Sequence, residues 1–411
     1  MNLLDPKRTI AELKDLRALT ADGHGAQRVA FTPKWTETRE WLGRKLAALP
    51  VETHVDAAGN RWSTLKGESR KEILIGGHMD SVPNGGWLDG CLNVLAGLEV
   101  LRRIDAEYDH RPPLTVRLVD WADEEGARFG KSLFGSSACS GNLDLNEARG
   151  LVDKDGIRLP DALAAVGIDF ERVKDSGREL EHGAAYLELH IEQGPVLLDL
   201  DLPLGAVLGT YGVERHAIHF HGQAAHSGST PMNRRKDAFL AAAKMSPEIY
   251  RITGKHGGVG TIGSCTTQPG IVTSVVEDCR ITLDQRHLDA SSLARLLADA
   301  RTSSERFAKE GGVDVTWSRL WNIEPVLFDP RLIALCEEAI LETCGKSHRL
   351  PSGPLHDAAE VGRAGVPTVM MFVQSLHGIS HNKIEDTRED HLEWCVTAFD
   401  RLAEKALHAF G

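Results

Sequence analysis

Positive charge is in short supply in this 411-residue chain: 47 Lys and Arg face 59 Asp and Glu, a formal net charge of −12. A nucleic-acid surface needs a dominant basic patch, so that class of partner is set aside. Long apolar runs are missing too. No stretch of about 18 or more apolar residues could span a bilayer, and no apolar run of signal-peptide length follows the first basic residues. Cysteine is scarce and scattered. The seven positions (91, 139, 265, 279, 336, 344, 395) form no C-x-x-C pair and leave one over. That pattern excludes a disulfide framework and gives a cytoplasmic location as the expectation. Six of them read as buried apolar fillers; Cys91 stands apart only because it lies next to Asp89-Gly90. No Walker loop, H-E-x-x-H or G-x-S-x-G is found. Gly258-Val-Gly-Thr-Ile-Gly263 matches G-x-G-x-x-G but lacks the strand before it and the helix after it that a dinucleotide site needs.

What is present is ordinary globular composition, with 42% hydrophobic and 26% charged residues. At about 150 residues per domain, the length suggests two or three domains. Helical spacing runs over 7–20 and 35–48, and Leu92, Leu95, Leu98 and Leu101 mark an amphipathic helix after Asp89-Gly90. Short strands are expected over 51–66, around the turn at 58–60. Apolar runs at 72–77, 114–121, 185–191 and 365–373 read as buried strands. Strand and helix alternate, which predicts an α/β fold with a mostly parallel sheet. Segment 211–324 reads otherwise. A strand over 214–221, a helix near 236–250, strands near 271–276 and 279–286, a helix near 290–309 and a strand near 312–319 give a β-α-β-β-α-β order, as in ferredoxin-like domains. The expected layout is a catalytic domain in two parts, 1–210 and 325–411, interrupted by an inserted domain at 211–324. Surface hinges are placed near Pro203 and Gly205 and at Glu324-Pro325.

The 18 histidines raise the chemical question. The first strand ends in Gly77-His78-Met79-Asp80, and Asp89 follows at a helix start. The second runs into Asp123-Glu124-Glu125-Gly126. The third contains His190, and the fourth leads to Gly378-Ile-Ser-His381. In open α/β sheets, sites form outside the carboxyl ends of the strands. Imidazole nitrogen and carboxylate oxygen together suit a borderline divalent ion. A carboxylate has two oxygens and can bridge two ions. Asp80 is spaced to hold the second nitrogen of His78 and so fix its tautomer. Taken singly, each residue has an ordinary reading: Asp89 as a helix N-cap, the paired Glu as solvated, each His as structural. Their recurrence on successive strand ends favours the metal.

At these residues the sequence resembles the hydantoinase/carbamoylase amidase branch of the M20 metallopeptidases. The resemblance is carried by Gly77 to Gly86, Asp89-Gly90, Asp123 to Phe129, His190-Ile-Glu-Gln-Gly-Pro195, His226-Ser-Gly-Ser-Thr-Pro-Met232 and Gly378 to His381. It runs in the family's order over nearly the whole chain. It implies two divalent metal ions per subunit (Zn, Mn, Co or Ni), one held by His78, Asp89 and His190 and the other by Asp89, Glu125 and His381. It implies Glu124 as general base. The inserted domain would be a lid that pairs with its copy in a homodimer, bringing His226 to the partner's oxyanion. Arg286 would clamp a substrate carboxylate, with pairing to Asp284 as the alternative. Gln193 and His356 are candidate amide contacts. The implied substrate is a small N-carbamoyl amino acid, giving amino acid, CO2 and ammonia. The alternatives are an allantoate or ureidoglycolate amidohydrolase, a β-ureidopropionase, or a dipeptidase or N-acyl-amino-acid hydrolase with the same ligands. A metal-free binding relative is the rival from another class. Three departures from the carbamoylase pattern are expected to face the substrate: Asn93 where glycine is common, Gly353-Pro-Leu-His356 in place of G-A-G-H, and Thr273 where an Asn is usual.

Overall fold

The computed structural model describes residues 3–411. The chain divides into two compact units: residues up to Gly209 together with Phe328–Gly411, and Thr210–Leu327.

The first unit is built on a twisted sheet whose centre is parallel. Thr368–Val373, Gly183–Ile191, Ser69–His78 and Leu114–Trp121 lie side by side in that order, each parallel to the next. Arg61–Leu65 and Glu52–Val55 continue the sheet antiparallel beyond Leu114–Trp121. Leu204–Thr210 pairs antiparallel with Thr368–Val373 on the other side. All eight residues of Leu114–Trp121 are buried, as expected for a parallel strand covered on both faces. The covering helices include Cys91–Glu107, Pro330–Cys344 and Glu389–Phe410. Parallel pairing puts the carboxyl ends of four strands on one edge, and this positions the site.

The second unit has a four-stranded antiparallel sheet. Its order is Val259–Gln268, Asp278–His287, Gly212–His221, Asp314–Ile323, so the unit's second, third, first and fourth long strands lie in a row. Ala238–Ala243, Met245–His256 and Ala290–Gly311 pack on it around Ile218, Phe220, Ile249, Ile281 and Leu296.

Two expectations for this unit need correcting. The apolar run 271–276 is not a long strand; only Ser274–Val275 pairs, with Ala225–His226. The strand is Val259–Gln268, at the sheet edge, where most of its residues are exposed and no apolar alternation is required. The G-x-G-x-x-G match falls largely inside it. Gly258, just before the strand, sits at φ +81°, and a Cβ there would come within 2.4 Å of the Arg286 carbonyl oxygen, so this glycine serves a tight entry to the strand. The single helix expected near 236–250 is two, divided at Lys244. Pro247 lies in the first turn of the second, where a missing N–H costs nothing.

Candidate functional site

The loops and helix starts at the carboxyl ends of the parallel strands assemble the site. His78 closes the strand Ser69–His78. Its Nδ1 lies 3.2 Å from the Asp80 main-chain oxygen, to which it donates, and 3.5 Å from the Asp80 carboxylate. His190 Nδ1 donates to the Ile191 carbonyl at 2.8 Å. With the proton on Nδ1, each ring turns a bare Nε2 inward, the form a metal ligand needs. His190 Nε2 lies 3.1 Å and His78 Nε2 3.7 Å from Asp89 Oδ1. The other Asp89 oxygen faces a different pair. His381 Nε2 is 3.5 Å from Oδ2 and 3.2 Å from Glu125 Oε2. In each trio, one ligand atom per residue lies within 4.8 Å of the others.

Backbone strain collects at the same place. Asp123, Gln193, His377 and His381 have φ of 57°, 59°, 61° and 54°. Left-handed backbone costs about 1–3 kcal/mol at a non-glycine residue and persists only where its surroundings enforce it. Asp80 enforces part of it, because its carboxylate accepts the N–H groups of Glu124 and Glu125 at 3.3 and 3.2 Å. Asp80 therefore holds the acidic loop as well as standing beside His78. Gly90 is required by space: a Cβ would come within 2.4 Å of the His78 ring.

The electrostatics call for cations. Asp80, Asp89, Glu124 and Glu125 are packed together, yet among the described residues none is ion-paired to Lys or Arg; their partners are histidines. Buried charges without compensation are costly. His78 Nε2, His190 Nε2, Asp89 Oδ1 and Glu125 Oε1 are buried with no hydrogen-bond partner. Burial opposes ionisation of Asp89, but His190, His78 and His381 outweigh it and hold its carboxyl below the usual range. Hydrogen bonding to Glu125 raises His381 to about 9. Burial pushes the Glu124 carboxyl well above the ordinary range, with His78 opposing and Asp357 adding. Orphaned nitrogens, carboxylates and missing counter-charge together fit a divalent cation at each trio.

The remaining sequence candidates fall in different places. Glu124 joins the cluster, with one oxygen 3.7 Å from His78 Nε2 and the other 4.0 Å from His356 Nδ1. His356 is buried with both nitrogens unpartnered, its ring centre 4.3 Å from that of His190. Burial, helped by His190, holds its pKa well below the ordinary value. Gln193 Nε2 donates to Asp89 Oδ2 at 2.8 Å, so it rests on the central carboxylate. Gly353 is half-buried in the segment before His356, with no atom within 4 Å of where a Cβ would stand. Asn93 is an interior residue, its Nδ2 buried without a hydrogen-bond partner. It is fully buried beneath the site, packed on Gly77, and its Oδ1 accepts the Leu189 N–H at 3.0 Å. Its amide oxygen ties a helix to a strand, a structural role beside the expected substrate contact. Cys91 is likewise buried, and burial raises its thiol.

His226, Thr273 and Arg286 belong to the second unit. His226 is exposed, and its Nδ1 accepts the N–H groups of Gly228 and Ser229 at 3.0 and 3.2 Å. Its proton is therefore on Nε2. Thr273 is exposed beside it, accepting the Ser227 N–H at its carbonyl. Arg286 Nε donates to Asp284 Oδ1 at 2.9 Å, and Arg215 holds the other Asp284 oxygen.

Sequence reasoning missed Ser380 and Glu385. Ser380 Oγ lies 2.9 Å from Asp89 Oδ2 and 2.7 Å from Glu385 Oε2. Glu385 Oε1 accepts the N–H groups of Leu88 and Asp89. An acid four positions after His381 was the available signal.

Residues 74–405 match Peptidase family M20/M25/M40. The chain is 34% identical to an N-carbamoyl-L-amino acid amidohydrolase of Geobacillus stearothermophilus, over 89% of this chain and 90% of that one. It is 30% identical to an allantoate amidohydrolase of Escherichia coli, over 88% of each. A crystal structure of a hydantoinase/carbamoylase family amidase from Burkholderia multivorans superposes with a TM-score of 0.88, at 30% identity over 99% of both chains.

Proposed function

The chain belongs to peptidase family M20/M25/M40, and from that premise we propose that it is a binuclear metal-dependent amidohydrolase cleaving the ureido C–N bond of a small carboxylate-bearing substrate, most specifically an N-carbamoyl amino acid. The observation that carries this is Asp89, whose two oxygens each complete a separate ligand trio. His78, Asp89 and His190 would hold one ion, and Asp89, Glu125 and His381 the other. Divalent ions there, of Zn, Mn, Co or Ni, would polarise the carbonyl and acidify water. Glu124 takes the proton of the attacking water. It then passes that proton to the leaving nitrogen. His356, neutral and unpartnered beside Glu124, is available to a substrate amide, as is Gln193 once released from Asp89.

We further infer that 211–324 acts as a lid and dimerisation domain, joined to the catalytic parts 1–210 and 325–411. In the homodimer, His226 stabilises the oxyanion of the partner's reaction. Its Nε2–H tautomer supports a donor role. Arg286 and Thr273 would meet the substrate, Arg286 by leaving Asp284 for a carboxylate. Gly353 and its neighbours would shape the pocket wall. A cytoplasmic location belongs to the same reading.

The test is Glu124→Gln in the metal-loaded enzyme, assayed by ammonia release from N-carbamoyl amino acids, N-carbamoyl-β-alanine and allantoate, with N-acyl amino acids as the dipeptidase-side control. Metal content should stay unchanged while turnover falls by about 10²–10⁴-fold. Wild-type turnover in the variant removes Glu124 from its role. Turnover of acyl substrates alone moves the enzyme to the peptidase side of the family.

A further inference from the structure

A second cluster of charge lies in the first unit, made of residues that are neither metal ligands nor reacting groups. Arg28 is fully buried, yet no carboxylate lies within salt-bridge distance of it among the described residues. Its Nε donates to the Met79 carbonyl at 2.9 Å, and its Nη1 makes a long contact of 3.4 Å with Thr20 Oγ1. Its Nη2 is buried and has no partner. A guanidinium is always charged, and burying it unpaired is costly.

Arg28 lines a pocket of about 110 Å³. That is room for a few waters, or for one small oxyanion. Two further cations line the same pocket, Arg17 and Lys383. Arg17 is set over the Trp87 ring at 5.7 Å, and Lys383 Nζ reaches the Gly23 carbonyl at 3.4 Å. The one acid in the lining is Asp22, and its Oδ1 already accepts from the His24 N–H and Gln27 Nε2. Three cations against one carboxylate leave the lining residues with an excess of positive charge, while Asp386, on Trp87, and Glu385, packed against Gly86, stand just behind them. Gly25 keeps it narrow: at φ +130°, a Cβ there would meet the Gly85 carbonyl at 2.6 Å.

We propose that this pocket binds a small oxyanion, a phosphate or a carboxylate, which supplies the counter-charge that Arg28 lacks. The inference does not depend on the amidohydrolase reading, because none of these residues is placed among the metal ligands or the reacting groups.

The test is calorimetric titration of inorganic phosphate, and in a second arm acetate, into the metal-loaded protein and into the Arg17→Ala/Lys383→Ala double variant. Both substitutions lie at exposed positions and leave Arg28 in place. Phosphate also binds metal centres, so the reading is the difference between the two proteins. The wild type should bind one oxyanion that the double variant loses or holds at least tenfold more weakly, with equal metal content. Asp22→Asn should tighten that binding several-fold. Preference for acetate over phosphate identifies a carboxylate, and the reverse a phosphate. Matching isotherms in wild type and double variant, no binding of either anion, or weaker binding in Asp22→Asn would each overturn the proposal.

Discussion

The two halves of the candidate metal centre share Asp89 and differ in almost everything else. The half formed with His78 and His190 is sealed. Those side chains are 0% and 2% exposed, and both rings are fixed by main-chain oxygens. The half formed with Glu125 and His381 is open. The His381 side chain is 51% exposed, its backbone is left-handed, and Gln193 Nε2 and Ser380 Oγ crowd the Asp89 oxygen it faces. Rigid, dry ligands need no rearrangement to bind an ion, whereas the open half must shed the Gln193 contact first. The difference teaches that the two ions proposed above should not be equivalent: the sealed half is expected to bind the tighter and to fill first.

The most drastic way to break the comparison is to remove what the halves share. Asp89→Asn should abolish both sites and reduce ammonia release beyond the roughly 10²–10⁴-fold expected from losing a general base. Retention of either ion by elemental analysis would contradict a bridging role. Next in size is the contrast between His78→Ala and His381→Ala. After dialysis against a mild chelator, the first should be stripped of metal, while the second should keep the sealed ion and lose only the open one. Equal metal content in the two variants would erase the asymmetry. Asp80→Asn acts on both halves through the loop it holds, and should weaken metal affinity by about 10–100-fold, read by competition with a chromogenic chelator. The smallest effect sharpens the boundary of the site. Asn93→Ala should destabilise the fold by about 1–3 kcal/mol in urea, since the buried Leu189 N–H loses its acceptor, with metal stoichiometry unchanged. A changed stoichiometry would put Asn93 in the site after all.

Much of the fold was legible because burial writes itself into sequence. The runs at 72–77, 114–121, 185–191 and 365–373 are apolar because both sheet faces are covered, and they form strands. Their carboxyl ends were legible because His, Asp and Glu there have no packing reason to be present. The edge strand Val259–Gln268 was not legible. An exposed edge demands no apolar alternation, and its Gly, Ser and Thr look like loop. The β-branched run at 271–276 misled for the opposite reason, with Val272 98% exposed. Side-chain direction was also beyond reach. Nothing in the string of letters distinguishes Asn93, turned inward to a strand, from a pocket residue, or shows that Gln193 lies on Asp89. Left-handed backbone at Asp123 and His381 leaves no compositional trace, since neither is glycine.

The bond from the Asp89 main-chain N–H to Glu385 joins positions 296 apart in the chain. It therefore sets an order of events during synthesis. His78, Asp89 and His190 are all made in the first half of the chain, so the sealed half of the centre has its ligands long before the segment carrying Ser380, His381 and Glu385 leaves the ribosome. A nascent chain stalled before that segment holds a complete set of ligands for one ion and none of the latch for the second. The second trio thus stays incomplete until His381 is made, and the Asp89–Glu385 bond waits for a residue 296 positions after Asp89.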